Sequence, residues 1–569
     1  MIRFVFSHKE SEHLLNNYTM KDIIRFVFSA LSLILIQHNA ICQTTFIQRP
    51  KLVVGIVVDQ MRYDYLYRYY SKYSENGFKK LLNGGYNCRN NHYNYAPTYT
   101  GPGHTSIYTG TTPSQHGIIG NDWYVRSTGK SIYVTDDSTV NTVGSPNVKV
   151  GKMSPANMLA ATVTDELRLS TAKKSKVIGV ALKDRSAILP AGHLANAAYW
   201  FDSETGNWIT STYYMQNLPD WMKKLNDRHL AQKYLSQSWN TLLPISQYTE
   251  SAADDNPYEG KYPGENKPVF PHDVSKMWKP NDFDIIRSTP FGNTLTKDAA
   301  IAAIEGEQLG KGTNTDFIAI SFSSTDYVGH KMGPQSIEVE DTYLRLDRDL
   351  GELISYLEKL YGKNGFLLFL TADHGAAYVP AQMMDDKIPA GYFAGRKMLD
   401  SLKTYLNKSF GNGNWVSSFI NQQVYLNHQL ITQKNISLKE IQEKVAAYLL
   451  GFQGVANTYT SYQLNGSSFT QKPEAFLQNG FNVQRSGDVS VLFQPGWIES
   501  STSTTGTTHG TPYSYDTHVP LLWYGWKISR GSSATPVNIT DIAPTVADLL
   551  NISQPNAATG RVLTELVTK

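Results

Sequence analysis

Short apolar runs recur along this chain and give way, at or just past their ends, to acidic or imidazole side chains. Residues 52–58 (LVVGIVV) end at Asp59, 317–322 (FIAISF) are followed by Asp326 and His330, and 366–370 (FLLFL) lead into Asp373 and His374. His509 stands just upstream of 520–526 (PLLWYGW). Runs of this length and composition read as buried strands, as do 177–182 (VIGVAL) and the shorter 489–493 (VSVLF). Between them lie helical patterns. In residues 336–360, Leu346, Leu350, Leu353, Ile354, Leu357 and Leu360 share one face, while Glu338, Glu340, Arg348, Glu352 and Glu358 fall mostly elsewhere. Residues 540–550 read as the last core helix, capped by Thr540 or Asp541. Strands alternating with helices predict an α/β fold with a mostly parallel sheet flanked by helices. Such sheets bind ligands outside the carboxyl ends of their strands, so the residues that end these runs are expected to converge.

Two stretches interrupt the alternation. Residues 195–287 are rich in Trp, Tyr, Asn and Pro, and 378–482 hold helical patterns without site-like residues; both are expected to be insertions covering the site. The Ser/Thr-rich run 499–508 delivers His509 and is expected to be an ordered site loop.

At the N-terminus, Lys21 and Arg25 precede an apolar stretch, 26–36, and then Ala40-Ile41-Cys42. That order is a secretory signal pattern, too short for a comfortable membrane span. It predicts a periplasmic or secreted protein without a transmembrane anchor. Acylation at Cys42 is the less favoured alternative, because Ile41 is bulky for that signal. Residues 2–7 repeat 24–29 letter for letter, which suggests that translation starts at Met20. Residues 1–42 are therefore set apart from a catalytic domain spanning 43–569.

Composition narrows the function. Fifty-two basic and 49 acidic residues leave a net charge of +3, which makes no electrostatic case for nucleic acid as a partner. Two cysteines, Cys42 and Cys88, exclude a disulfide framework and a Cys-rich zinc site, and Cys88 is expected as a buried small hydrophobe. The 35 tyrosines and ten tryptophans serve packing and rim contacts.

A single Asp after a strand is usually a turn residue. Three carboxylates and three imidazoles at one sheet edge are a different matter. Asp326 and His330 have an i, i+4 spacing that puts both on one side of a helical turn. Gly375 permits a sharp bend after Asp373 and His374. Zinc accepts imidazole and carboxylate ligands, and two metals about 4 Å apart can clamp the attacking and leaving oxygens of an in-line displacement. Two Zn²⁺ per chain are therefore expected. His104 is read as structural and His518 as a packing or supporting residue beside the last strand.

The segment Ala96-Pro97-Thr98-Tyr99-Thr100-Gly101-Pro102-Gly103-His104 is a turn running into a helix. It presents the Thr100 hydroxyl where backbone N–H groups favour an anion. Asn121, in a Gly-flanked turn, can donate to a phosphoryl oxygen. Lys183 and Arg185, one residue apart beyond 177–182, would share a face in an extended chain and form a cationic clamp for a dianion.

These residues lie in motifs that resemble the alkaline phosphatase superfamily, and within it secreted bacterial enzymes of the PafA type with a Thr nucleophile and a Lys-x-Arg pair. The resemblance is carried by 51–61 (KLVVGIVVDQM), 103–110 (GHTSIYTG), 120–124 (GNDWY), 182–185 (LKDR), 324–330 (STDYVGH), 338–349 (EVEDTYLRLDRD), 372–376 (ADHGA) and 506–509 (GTTH). It implies an alkaline phosphatase-like core in which Asp326, His330 and His509 hold one zinc. Asp59, Asp373, His374 and Thr100 surround the other. Asn121, Lys183 and Arg185 bind phosphoryl oxygens. The implied enzyme hydrolyses small phosphate monoesters of broad range through a phospho-threonine intermediate, and a monomer is expected. The alternative on the same scaffold is a phosphodiesterase or nucleotide pyrophosphatase. An inert surface-binding protein is a weaker one, since every ligand and the nucleophile are present. A sulfatase needs a Cys/Ser-x-Pro-x-Arg motif, which residues 100–104 lack.

Overall fold

Seven consecutive apolar or Gly residues, all fully buried, make β1 (Leu52–Val58) the middle of the principal sheet. The computed structural model describes residues 19–22, 24–27, 29, 49–500 and 504–567. The chain divides into two units between Arg49 and Pro50, and the second carries the sheet. Cys42, most of the signal-like stretch and residues 501–503 of the Ser/Thr run lie outside the described residues. Among those described, no helix is long and apolar enough to cross a membrane.

The other strands of the sheet are β2 (Tyr86–Cys88), β3 (Thr142–Val143), β4 (Val177–Ala181), β5 (Ala197–Asp202), β6 (Asn207–Ser211), β7 (Asp316–Phe322), β8 (Phe366–Thr371), β9 (Leu521–Gly525) and β10 (Gly531–Ser533). Their spatial order is β10-β2-β9-β8-β1-β7-β4-β5-β6-β3. From β8 through β5 the neighbours run parallel. Val58 pairs with Phe322, Val57 with Thr371, and Ala181 with Ser321, so β1, β7, β8 and β4 end level with one another. That register is what brings Asp59, Asp326, Asp373 and Lys183 to a common rim.

Three features differ from the sequence reading. First, β9 is antiparallel to β8, with Leu521 opposite Thr371. An antiparallel strand starts at the rim where its parallel neighbours end, which is why His509 serves the site from upstream of its strand. Second, the stretch expected as one insertion, 195–287, begins with two strands of the principal sheet, β5 and β6. Every β5 residue is buried, and Trp and Asn in these strands obscure the apolar pattern. Third, Val489–Phe493 joins Val416–Ile420, Gln423–Leu426 and Val455–Thr460 in a separate four-stranded sheet. That sheet and the helices Gly395–Phe410 and Leu438–Leu449 enclose a hydrophobic cluster of their own.

The helices follow from their caps and faces. The candidate nucleophile opens α1 (Thr100–Thr109), of which all ten residues are buried. Next come α2 (Asp184–Ala191), α3 (Ser324–Met332) and α4 (Ile337–Tyr361). Ser336 caps α4 by accepting from Val339 N, one residue from the expected start. The last core helix runs Ile542–Leu550 with Asp541 at its N-cap position, after a 3₁₀ turn, Ile539–Asp541, whose own capping box is formed by Asn538 with Asp541. Gly55 lets α1 lie against the middle of the sheet: a Cβ there would stand 2.4 Å from Tyr108 Oη and 2.6 Å from Phe369 Cζ.

Candidate active site

Asp59 leaves β1, Asp326 and His330 sit one turn apart on α3, Asp373 and His374 follow β8, and His509 arrives on the loop before β9. All six are brought together. Ligand atoms of Asp326, His330 and His509 lie within 4.8 Å of one another, and so do those of Asp59, Asp326 and His374. Asp326 thus belongs to both groups. Asp373 Oδ2 stands 3.5 Å from His374 Nε2.

Backbone carbonyls orient the three imidazoles. Nδ1 of His330 donates to Thr507 O at 2.8 Å, that of His374 to Gly375 O at 3.0 Å, and that of His509 to Thr98 O at 2.6 Å. With Nδ1 engaged as donor, Nε2 is the atom turned toward the carboxylates and carries the lone pair when the ring is neutral, the arrangement found in metal-ligating histidines. His374 and His509 stack with ring centroids 3.4 Å apart. Burial lowers both below the usual imidazole range, and for His509 the nearby His374 and His330 add to the effect.

The carboxylates are unequal. Burial, reinforced by Asp373, pushes Asp59 well up, although Lys183 opposes it. Burial also acts upward on Asp326, but His330 and Lys183 outweigh it and hold the group well below its ordinary value. Asp373 is lowered against burial by His374 and His104. Asp59 Oδ1, Asp373 Oδ2 and His374 Nε2 are buried without a hydrogen-bond partner. Native interiors rarely leave such atoms unsatisfied. Orphaned carboxylate oxygens and an imidazole lone pair turned toward one another form a donor set that fits divalent metal.

Lys183 and Arg185 do not extend side by side. Lys183 is the extended residue preceding α2 and Arg185 lies in its first turn, so the two straddle the helix start. Lys183 donates from Nζ to Asp59 Oδ2 and Asp326 Oδ2, both at 2.6 Å, and so bridges the two groups. Arg185 donates from Nη1 to Tyr133 Oη at 2.8 Å, while its buried Nε has no partner. Tyr133 in turn donates to Asp184 Oδ1 at 2.7 Å.

Thr100 is the first residue of α1 and is 1% exposed. Asn121 accepts from Gly101 N at 2.8 Å through Oδ1, which leaves its amide hydrogens for other acceptors. The end of β8 and the start of α1 touch at Gly103, where a Cβ would lie 2.5 Å from Asp373 O. His104 lies beside the metal-ligand candidates. Its Nδ1 is 2.9 Å from Thr100 O and 3.4 Å from Asp373 Oδ2, and its Nε2 is 2.9 Å from Ser321 Oγ. His518 stacks on Tyr63 and His92 at 4.3 and 4.6 Å.

Gln60 escaped the sequence reading. It donates from Nε2 to Asp326 Oδ1 at 2.7 Å and from its backbone N to Asp373 Oδ1 at 3.1 Å, tying the two halves together. It does so in a left-handed conformation, φ 63°, uncommon for a residue with a side chain. Its position directly after Asp59 was the one available signal.

A family model described as type I phosphodiesterase / nucleotide pyrophosphatase matches residues 53–516. The chain belongs to this family, within the alkaline phosphatase superfamily. It is 47% identical over 526 residues to alkaline phosphatase PafA of Elizabethkingia meningoseptica, covering 92% of this chain and 96% of that one. It is equally identical, over 530 residues, to a Myroides odoratus protein named calcium-transporting ATPase, covering 93% and 96%. A crystal structure of wild-type alkaline phosphatase PafA superposes with a TM-score of 0.89 at 47% identity, covering 92% of this chain and 99% of that chain.

Proposed function

We propose that this protein is an exported alkaline phosphatase that hydrolyses small phosphate monoesters, with Thr100 as nucleophile and two zinc ions per chain. Asp326, His330 and His509 would hold one ion and Asp59, Asp373 and His374 the other, with Asp326 close to both. When bound, the metals supply Lewis acidity and lower the pKa of a coordinated hydroxyl. The chain's own residues do the rest. Thr100 lies at the N-terminus of α1, where backbone N–H groups and the helix dipole favour an anionic phosphoryl group. Its hydroxyl oxygen attacks phosphorus, the P–O ester bond breaks and the alcohol departs with the threonine's proton; water then attacks the phospho-threonine, the P–Oγ bond breaks, and the hydroxyl is restored as inorganic phosphate leaves. Asn121, Lys183 and Arg185 donate to the non-bridging oxygens, Lys183 from its place between Asp59 and Asp326.

The observation that carries the monoester reading is Arg185, a half-buried side chain whose shielded Nε has no partner. A monoester dianion has an oxygen to give it, whereas a diester has a carbon substituent in one of those directions. The terminal phosphoryl group of ATP also has three non-bridging oxygens, so ATP is expected to be hydrolysed without any transport. Support for export comes from the basic, then apolar order of residues 21–36. The complete candidate set comes from one chain, so a monomer suffices.

The test compares p-nitrophenyl phosphate with bis-p-nitrophenyl phosphate. Losing one preorganised donor to a developing anion costs roughly 3–4 kcal/mol, about 10²–10³ in rate. Arg185→Ala should lower kcat/KM for the monoester by about that factor and spare the diester. It is a cleaner probe than Lys183→Ala, which would also unbalance Asp59 and Asp326. Equal losses on both substrates would favour the phosphodiesterase reading.

A further inference from the structure

The separate four-stranded sheet sends one tight turn toward the catalytic centre. Asn421 and Gln422 join Val416–Ile420 to Gln423–Leu426, with Ile420 paired to Gln423. Both turn residues are left-handed, φ 54° and 60°. That is the conformation of two-residue hairpin turns, where Asn-Gly is the favoured pair. Gln422 lacks the freedom that Gly would bring there, yet the turn is firmly held, because its backbone O accepts from Val491 N at 2.8 Å. Gln422 also lines a cavity together with Tyr99, the residue before Thr100, and His509.

Asn421 meets the turn that carries Asn121 on both sides of that residue. Its Nδ2 donates to Asp122 O at 2.6 Å, and a Cβ on Gly120 would stand 2.2 Å from the same nitrogen. Gly120 therefore leaves the space that the Asn421 amide fills. Asn121 has two further ties: its backbone O accepts from Val134 N, and its Oδ1 from Gly101 N, both at 2.8 Å. Farther along the hairpin formed by Asp122–Val125 and Lys130–Tyr133, Arg126 donates to Ser486 O at 2.9 Å and to Asp488 Oδ2 at 3.1 Å. The hairpin is thus joined to the second sheet at both of its ends.

We propose that Asn421 is a positioning residue for phosphoryl recognition: it holds the turn at 120–122 so that the free amide hydrogens of Asn121 meet a non-bridging oxygen. This rests on Asn121 binding the phosphoryl group, as read above. It gives the stretch 378–482, which holds none of the candidate ligands, a task at the site. A donor is worth most to a developing anion when its direction is fixed beforehand, so loosening the turn weakens recognition of the phosphoryl group and leaves metals and fold in place.

Asn421→Gly keeps a left-handed turn and removes the amide. In full-length, zinc-loaded protein it should lower kcat/KM for p-nitrophenyl phosphate about three- to tenfold, the effect of one lost hydrogen bond. Competitive inhibition by inorganic phosphate should weaken by a similar factor, with zinc content and melting temperature unchanged. A merely structural role would not move phosphate inhibition at constant melting temperature. Asn421→Asp, similar in shape but without the donor, should lose at least as much. In an Asn121→Ala background the loss from Asn421→Gly should vanish, because the group through which it acts is gone. An equal loss in both backgrounds, or none in otherwise wild-type protein, would overturn the proposal. Asn121→Ala that by itself leaves kcat/KM unchanged would instead remove Asn121 from the site, and the positioning role with it.

Discussion

The Tyr133 hydroxyl accepts from Arg185 Nη1 at 2.8 Å while donating to Asp184 Oδ1 at 2.7 Å, so one phenol links the guanidinium to the carboxylate beside it in the chain. Arg185 is thereby held in one orientation, with Nε unpaired. Removing the hydroxyl leaves the charge in place but frees its direction. Tyr133→Phe should lower kcat/KM for a monoester about three- to tenfold, in line with the net ~1 kcal/mol of one lost hydrogen bond. Thermal stability should change little, and diester hydrolysis should be nearly unaffected. Steady-state kinetics on both substrates check this.

Asp326 differs from Asp373 in reach. It lies in both ligand groups and receives Lys183 and Gln60, whereas Asp373 faces His374 and His104. Chelation should abolish activity and added zinc restore it. Asp373→Ala should lose one zinc per chain and Asp326→Ala both, as counted by metal analysis on the purified variants. Full activity after exhaustive chelation would contradict the metal assignment.

Thr100 touches the fold through its backbone oxygen, which meets His104 Nδ1 at 2.9 Å, and Thr100→Ala preserves that contact. The variant should fold, bind metal and form no phosphoenzyme on acid quench. Thr100→Ser should retain it. Labelled phosphate recovered on another residue would refute the nucleophile assignment.

Gly103 is where α1 meets the end of β8. A methyl group there collides with backbone, 2.5 Å from Asp373 O, and backbone cannot rotate aside. Gly103→Ala should destabilise by roughly 1–3 kcal/mol and displace Asp373, lowering both melting temperature and metal content. Gly312→Ala, with open space around it, is the control and should change neither.

Much of this was legible in the chain itself. Apolar runs ending in Asp59, Asp326 and Asp373 marked strands, and a parallel sheet gathers strand ends at one rim whatever their separation in sequence. The i, i+4 spacing of Asp326 and His330 likewise needed only helical periodicity. What sequence could not supply was register, direction and pairing, because these depend on which surfaces meet. The antiparallel entry of β9, the membership of β5 and β6 in the principal sheet, and the start of α2 between Lys183 and Arg185 are all of that kind. So is the contact of Lys183 with both Asp59 and Asp326, and that of Gln60 with Asp326 and Asp373, residues more than 100 positions apart. Local pattern reports how a residue relates to its chain neighbours; the charge it faces when buried is decided only when the sheet closes around it.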